Sequence, residues 1–417
     1  MNTISNSRLR ETRQEYKIPK LLQYLFLTYI LLKPFYIFES GSFQPSDVVF
    51  MLSFFVFLYY NGFANLIHCK FDYILCIFVL FTLVINLFYF LIYRNTEFVY
   101  SFLYYLFNLM LVLVARVLLM SREFIRKLFW VCRICLYLQV IIFFLGLGKY
   151  YIDVNGITER YLGTFNDPNQ LAFYMYALLM VMFMIEKFYN IKCQVNILDY
   201  AAFLFILYHT ASLGMLLAFV IFILSYFIVL LVSPMFERDT KRRKQMFYGL
   251  ITLFLLVVIF IIFKDQIIAF FKDSQLFERL IVKEKYSATI VDSNYSNRTI
   301  WQDRNIDKLY IYPQYNIFGA GQGYFSRFYL SNSSGEIHST LLSILFCYGI
   351  IPTSLFVLWI WKNIRKTVYF IPVFLSLAAE SFILLNQRQP LFWMVFLLSY
   401  SYRIMEEKRY EDAFYTR

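Results

Sequence analysis

Three polar segments interrupt an otherwise apolar chain, and their residue types are those that handle anions and protons. The first runs from Arg160 and Gly163 through Asn166 and Asp167 to Pro168 and Asn169. Proline tolerates the first helical turn and the residue before it avoids helical geometry, so Asp167-Pro168-Asn169 predicts a helix start. Arg160 just ahead of it serves as an anion ligand or as a lipid-headgroup contact. The second segment carries Asn297-Arg298-Thr299-Ile300-Trp301 and then Gly319-Ala320-Gly321-Gln322-Gly323. Glycines so spaced let a backbone turn sharply or approach a ligand closely. They do not make a dinucleotide site, because no strand precedes them and no phosphate-binding lysine follows. The third is Glu336-Ile337-His338-Ser339, at the expected start of a helix. Partial positive charge at a helix N-terminus favours a neutral imidazole and attracts an anion, so a base and a phosphate site coincide there. The alternative is a histidine capping a helix at headgroup level. Arg304, Arg327 and Arg388 fall on the same side and supplement either an anion clamp or a set of headgroup contacts.

The elements that position these residues are membrane helices. Of 417 residues, 60% are hydrophobic, 22% aromatic and only 16% charged, and the mean hydropathy is +0.58. Apolar runs of bilayer-crossing length recur along nearly the whole chain and leave no soluble domain over. The formal charge of +12 raises nucleic acid as a partner, but the placement of the basic residues argues against it. They cluster in alternate short loops: Arg8 to Lys20, then Arg122, Arg126 and Lys127, then Arg238 to Lys244. That is the signature of cytoplasmic loops. The basic start and first apolar run resemble a signal peptide, yet no small-residue cleavage site is evident and many spans follow, so a retained helix is expected.

The expected fold is all-α: a single integral membrane domain over residues 1–417, a polytopic bundle of about twelve helices with both termini cytoplasmic. Spans are expected near 21–38, 47–67, 73–93, 99–120, 128–148, 169–188, 197–210, 212–233, 247–264, 337–361, 367–385 and 390–405. Residues 149–168 and 265–336 then form outer loops, the larger containing short helices at the membrane surface. Tyr310, Tyr312, Tyr315 and Tyr324 stack on sugars there or simply mark the interface. Among charges inside spans, Arg116 and Arg133 are expected to snorkel to headgroups, while Lys33 and Glu380 form an ion pair or line a cavity. The six cysteines lie in spans or short inner loops. Cys132 and Cys135 read as packing residues despite their CxxC spacing.

Taken in order, Arg160-x-x-Gly163 through Pro168-Asn169, Ser212-x-Gly214, Arg298-x-x-Trp301, Gly319-x-Gly321 and His338-Ser339 ahead of Tyr348-Gly349-Ile350 resemble the O-antigen polymerase and O-antigen ligase superfamily. The similarity covers roughly residues 155–400, and its specificity lies in the ordered combination. It implies a glycosyltransferase of the bacterial cytoplasmic (inner) membrane that makes lipopolysaccharide or capsule, uses undecaprenyl-diphosphate-linked oligosaccharides and needs no cofactor or metal. It further implies diphosphate binding by Arg160 and Arg298, acceptor activation by His338, and a chain-length regulator as partner. Gly319, Gly321, Glu336, Arg304, Arg327 and Arg388 complete the expected substrate site. Leu213 and Ser339 stand where ligases carry arginine and asparagine, which favours polymerase over ligase. A flippase or transporter is the rival of a different class, for which interrupted mid-membrane helices would argue.

Overall fold

The computed structural model describes residues 18–38, 43–62, 65–152, 159–189, 193–236, 304–330 and 335–415, with scattered positions between 262 and 302. It is mostly helical. The elements are α1 (Lys20–Leu32), α2 (Pro45–Asn61), α3 (Asp72–Tyr93), α4 (Glu97–Leu118), α5 (Arg122–Phe144), β1 (Lys149–Ile152), β2 (Glu159–Gly163), α6 (Pro168–Tyr189), α7 (Ile197–Thr210) and α8 (Leu213–Phe236). After the outer loop begins come two short helices, α9 (Lys308–Ile311) and α10 (Tyr315–Phe318), then α11 (Thr340–Tyr348), α12 (Ile350–Ile364), α13 (Ile371–Ile383) and α14 (Pro390–Tyr415).

Five helices among the described residues are long and apolar enough to cross a membrane: α3, α4, α5, α6 and α8, the last two over Pro168–Glu186 and Leu213–Val232. α1, α2, α7, α12 and α13 are apolar but shorter. The expected span near 247–264 lies outside the described residues. In α3 and α8 only 28% of the most apolar stretch is buried, whereas α6 is 89% buried. α6 is therefore the central post, packed by α5, α7, α8 and α14. Leu80, Val84, Leu87 and Phe88 on α3, and Leu217, Leu224 and Ile228 on α8, stay exposed. Such a belt is what a lipid-facing helix presents.

Local sequence sets the helix starts. Asp167 Oδ1 accepts from the N–H groups of Asn169 at 2.8 Å and Gln170 at 3.1 Å, capping α6 where its Asp-Pro-Asn sequence predicts a start. Asn196 and Asp199 form a reciprocal capping box on α7.

Three expectations change. Residues 149–168 are not a plain loop: β1 and β2 pair antiparallel, with Tyr151 opposite Arg160, so the fold is not purely helical. The expected span 337–361 is two helices broken at Gly349. Arg116 does not snorkel. It is 1% exposed and paired with Asp72 through Nε at 2.9 Å and Nη2 at 2.6 Å, while Nη1 donates to Asn363 Oδ1 at 3.0 Å. Trp359 Nε1 also donates to Asp72, at 3.0 Å. The pair fastens the start of α3 to the ends of α4 and α12, and three donors on one carboxylate stabilise a charge that burial alone would expel. Arg133 likewise grips Asp199 with Nε at 3.0 Å and Nη2 at 2.7 Å, and Lys33 pairs with Asp47 at 2.9 Å.

The break at Gly349 has a local cause. Gly349 and Gly319 both have φ of +81°. A Cβ on Gly349 would sit 2.2 Å from the Ile317 carbonyl oxygen, and one on Gly319 would sit 2.7 Å from the Cys347 carbonyl oxygen. The outer-loop backbone thus lies directly on the end of α11. The N–H groups of Ala320 and Gly321 donate to the carbonyls of Phe346 (2.9 Å) and Cys347 (2.7 Å), satisfying acceptors that the end of a helix leaves open.

Candidate functional site

The hairpin, the starts of α6, α8 and α11 and the ends of α7 and α13 meet at one end of the bundle, opposite the Arg116–Asp72 pair. Most of the described candidate residues collect there. Strand β2 carries Arg160 inward, with its neighbours Tyr161 and Leu162 buried. Arg160 Nε donates to the Thr210 carbonyl at 2.9 Å, and Nη2 to Asn169 Oδ1 at 3.0 Å. Ser212 Oγ donates to the same Asn169 oxygen at 3.0 Å. Three motif residues, Arg160, Asn169 and Ser212, are therefore one hydrogen-bonded unit although 52 positions of sequence separate the first from the last. Asn169 and Ser212 are functional neighbours that reading by residue type passes over, although both sit inside the quoted motifs.

A second unit is built on the turn at 304–308. The Arg304 carbonyl accepts from the His338 N–H at 3.0 Å, Asn305 Nδ2 donates to the Glu336 carbonyl at 2.9 Å, and Lys308 Nζ donates to the Gly335 carbonyl. These contacts hold residues 335–338 extended, so that Ile337 and Ser339 point into the protein and the His338 side chain is exposed. Ser339 stands at the N-cap position of α11 without a side-chain capping bond, and Thr340 ties that start to α13: its Oγ1 donates to the Leu384 carbonyl at 2.8 Å and accepts from Asn386 N–H at 2.9 Å. Arg304 Nη1 donates to the Ile383 carbonyl at 3.1 Å.

Glu336 is committed to the protein. One oxygen takes Arg388 Nη2 at 2.6 Å, and the other takes Gln322 Nε2 and, at 3.3 Å, Ser343 Oγ. Its role is to hold Arg388, whose guanidinium lies 5.3 Å from the Tyr104 ring and whose buried Nε has no partner among the described residues. Burial, the largest influence, works against the Arg388 charge, but the Glu336 carboxylate outweighs it and raises the pKa.

Arg327 is separate. Its guanidinium is ringed by Tyr89, Tyr93, Phe98 and Phe328 at 4.6 to 5.1 Å and donates to the Ala320 and Gly321 carbonyls. Burial lowers its pKa. It is a clamp on the glycine junction, and the close approaches there are within the protein: Gly319 to the Cys347–Tyr348 backbone and Gly321 to the Tyr89 and Phe98 rings. Arg298 and Trp301 lie outside the described residues.

The two units adjoin through α8. A Cβ on Gly214, two residues after Ser212, would meet Glu380 Oε2 at 3.3 Å and Ile383 Cγ2 at 3.2 Å. Arg160 and Arg304 thus flank the start of α8, with His338 exposed beside Arg304. Guanidiniums hold the oxygens of a phosphate in pairs, and an exposed imidazole takes a proton. The arrangement suits transfer of a group away from a phosphate leaving group onto a hydroxyl. Scanned against models of known families, the chain matches none, and a search of curated proteins returns no match.

Proposed function

We propose that this protein is a polysaccharide polymerase of the O-antigen or capsule type, a polytopic membrane enzyme of about twelve spans in the bacterial cytoplasmic membrane. It transfers a glycan from undecaprenyl diphosphate onto a sugar hydroxyl of another lipid-linked repeat unit. The acceptor oxygen bonds to the donor's anomeric carbon as the bond from that carbon to the diphosphate breaks. The electron pair leaves on undecaprenyl diphosphate, and the acceptor proton passes to His338. Arg160 and Arg304, with Arg298 by resemblance and Arg388 beside them, offset the charge that gathers on the leaving group. A diphosphate leaves readily as an anion, so no protonating acid is needed.

The observation that carries this reading is the convergence of Arg160, Asn169, Ser212, Arg304, His338 and Arg388 at one end of an apolar helical bundle. Transfer of a finished glycan to a different acceptor would use the same donor site; Leu213 and Ser339 favour the polymerase. The interrupted helix at Gly349 is a feature of transporters. Here, however, the Phe346 and Cys347 carbonyls are already taken by the outer loop, leaving them no role in holding a passing ion.

The test is glycan length in cells that lack the native protein and carry wild type, Arg160→Ala, Arg298→Ala or His338→Ala at matched membrane levels. Wild type builds long chains and each variant stops at one repeat unit, with loss on the order of 10²-fold or more. Long chains from the variants would move the site elsewhere. Failure of single repeats to reach the outer leaflet without the protein would make it a flippase.

A further inference from the structure

Three cations gather where the start of α3, the end of α12 and the middle of α14 meet, at the end of the bundle that the Arg116–Asp72 pair closes. Lys362 Nζ and the Arg365 guanidinium lie over the same Phe71 ring, at 5.4 and 5.3 Å. Arg403 is only 6% exposed; its Nη1 donates to the Lys362 and Arg365 carbonyls at 3.1 and 3.2 Å, and its guanidinium lies 5.0 Å from the Tyr400 ring. Tyr400 in turn meets Phe71 edge to face. Rings and carbonyls hold these cations in place without cancelling their charge. None of the three forms an ion pair among the described residues, and the Arg365 Nε is buried with no hydrogen-bond partner there. Asp72 is already taken by Arg116 and Trp359. Arg365 repels Arg403, and the exposed Glu407 offsets this only in part.

Ordinary basic anchors at this end look different. Arg122 and Arg126 are exposed, and Lys127 pairs with Glu123. Arg403 and the half-buried Lys362 and Arg365 instead come from two helices onto one aromatic floor. Like charges held together and partly dehydrated are costly unless an anion joins them. We propose that this anion is the phosphate of an acidic phospholipid, seated between α3, α12 and α14. The Arg365 fork takes phosphate oxygens in pairs and Lys362 adds a point charge, as basic pockets between membrane helices do for lipid head groups. Position in the fold makes lipid the source rather than a soluble phosphate. Trp361 beside Lys362 and Tyr73 close after Phe71 are exposed, as aromatic residues at headgroup level are. One turn inward, Leu358 on α12 and Ile77 on α3 stay exposed and offer apolar surface to the acyl chains. The lipid ties three helices together and makes their stability depend on lipid charge. This inference stands apart from the polymerase reading.

The experiment measures thermal unfolding of the full-length protein, stripped of lipid in a neutral detergent, with dioleoylphosphatidylglycerol, dioleoylphosphatidylcholine or inorganic phosphate added. The variants are Lys362→Gln/Arg365→Gln and, as control, Arg122→Gln/Arg126→Gln. Phosphatidylglycerol raises the wild-type melting temperature about 3 to 5 °C above phosphatidylcholine, and inorganic phosphate at the same concentration does not. The double variant at α12 binds phosphatidylglycerol about 10- to 30-fold more weakly, while the control pair responds as wild type does. Should the double variant fail to fold, Arg365→Gln alone carries the comparison, with Arg365→Lys keeping most of the shift. Equal stabilisation by the two lipids, or an equal response from wild type and the α12 variant, would overturn the proposal. So would an equal loss in the control pair, which would reduce the effect to general surface charge. Inorganic phosphate as effective as phosphatidylglycerol would make this a site for a soluble anion and overturn the assignment to lipid.

Discussion

At the scale of single residues, the polar groups of an apolar chain are informative because each is expensive. Arg160, Arg304, His338 and Arg388 were legible for that reason. Their supports were not: Asn169 and Ser212 are ordinary residues until a fold brings them to one guanidinium, and Glu336 reads as a substrate ligand until Arg388 occupies it. His338 is held by its backbone, with its side chain exposed. His338→Ala therefore leaves the melting temperature within about 1 °C of wild type while chain growth is lost. Lys308 has the opposite character. It is fully buried, and desolvation pushes its pKa down to about 8, the charges of Asp307 and Glu336 only partly opposing this. Its folded pKa lies below its unfolded one, so the cost of burying the cation is present in full below about pH 8 and is relieved as pH rises toward the ordinary lysine range. Melting temperature measured across that window in detergent rises with pH more steeply for wild type than for Lys308→Met, and equal slopes would show that Lys308 is not the group responsible.

At the scale of elements, helix starts are plainer in the sequence than interruptions. Asp167-Pro168-Asn169 caps α6 as its chemistry requires. Hydropathy through Cys347 and Tyr348 is blind to the sign of φ and runs on across the break, which only Gly349 followed by Pro352 signals; the contact that fixes it is with Ile317, far off in sequence. The β1–β2 hairpin had a signal in the sequence, the Asn155-Gly156 dipeptide between two short aromatic runs, and strands of four and five residues beside long apolar helices let it pass as an interfacial loop. Gly349→Ala meets a carbonyl oxygen at once and destabilises by about 2 to 4 kcal/mol. Gly62→Ala, also at positive φ but with open space around it, costs about 1 kcal/mol. Thermal melting of the two variants side by side checks the junction; equal losses would mean that backbone conformation alone matters there.

At the scale of the whole molecule, composition foretells lipid as the solvent, and the described helices bear it out to the extent of five that are long enough to cross. The number of spans and the orientation rest on loop charge. The two ends of the bundle differ in kind: one is closed by the buried Arg116–Asp72 pair and flanked by Arg122, Arg126 and Lys127, the other gathers the hairpin and the candidate site. If the basic end is cytoplasmic, a membrane-impermeant maleimide labels Tyr151→Cys in intact spheroplasts and labels Glu123→Cys only after permeabilisation, both positions being exposed. The reverse pattern would put the candidate site on the side where lipid-linked repeats are not polymerised.

The most direct test of glycan transfer at this site is reconstitution of the purified protein in vesicles with undecaprenyl-diphosphate-linked repeat units. Wild type is expected to join repeats and release one undecaprenyl diphosphate for each bond formed, and Arg160→Ala and His338→Ala to do neither. Lipid-linked repeats that move between leaflets with no new glycosidic bond and no diphosphate released would contradict glycan transfer.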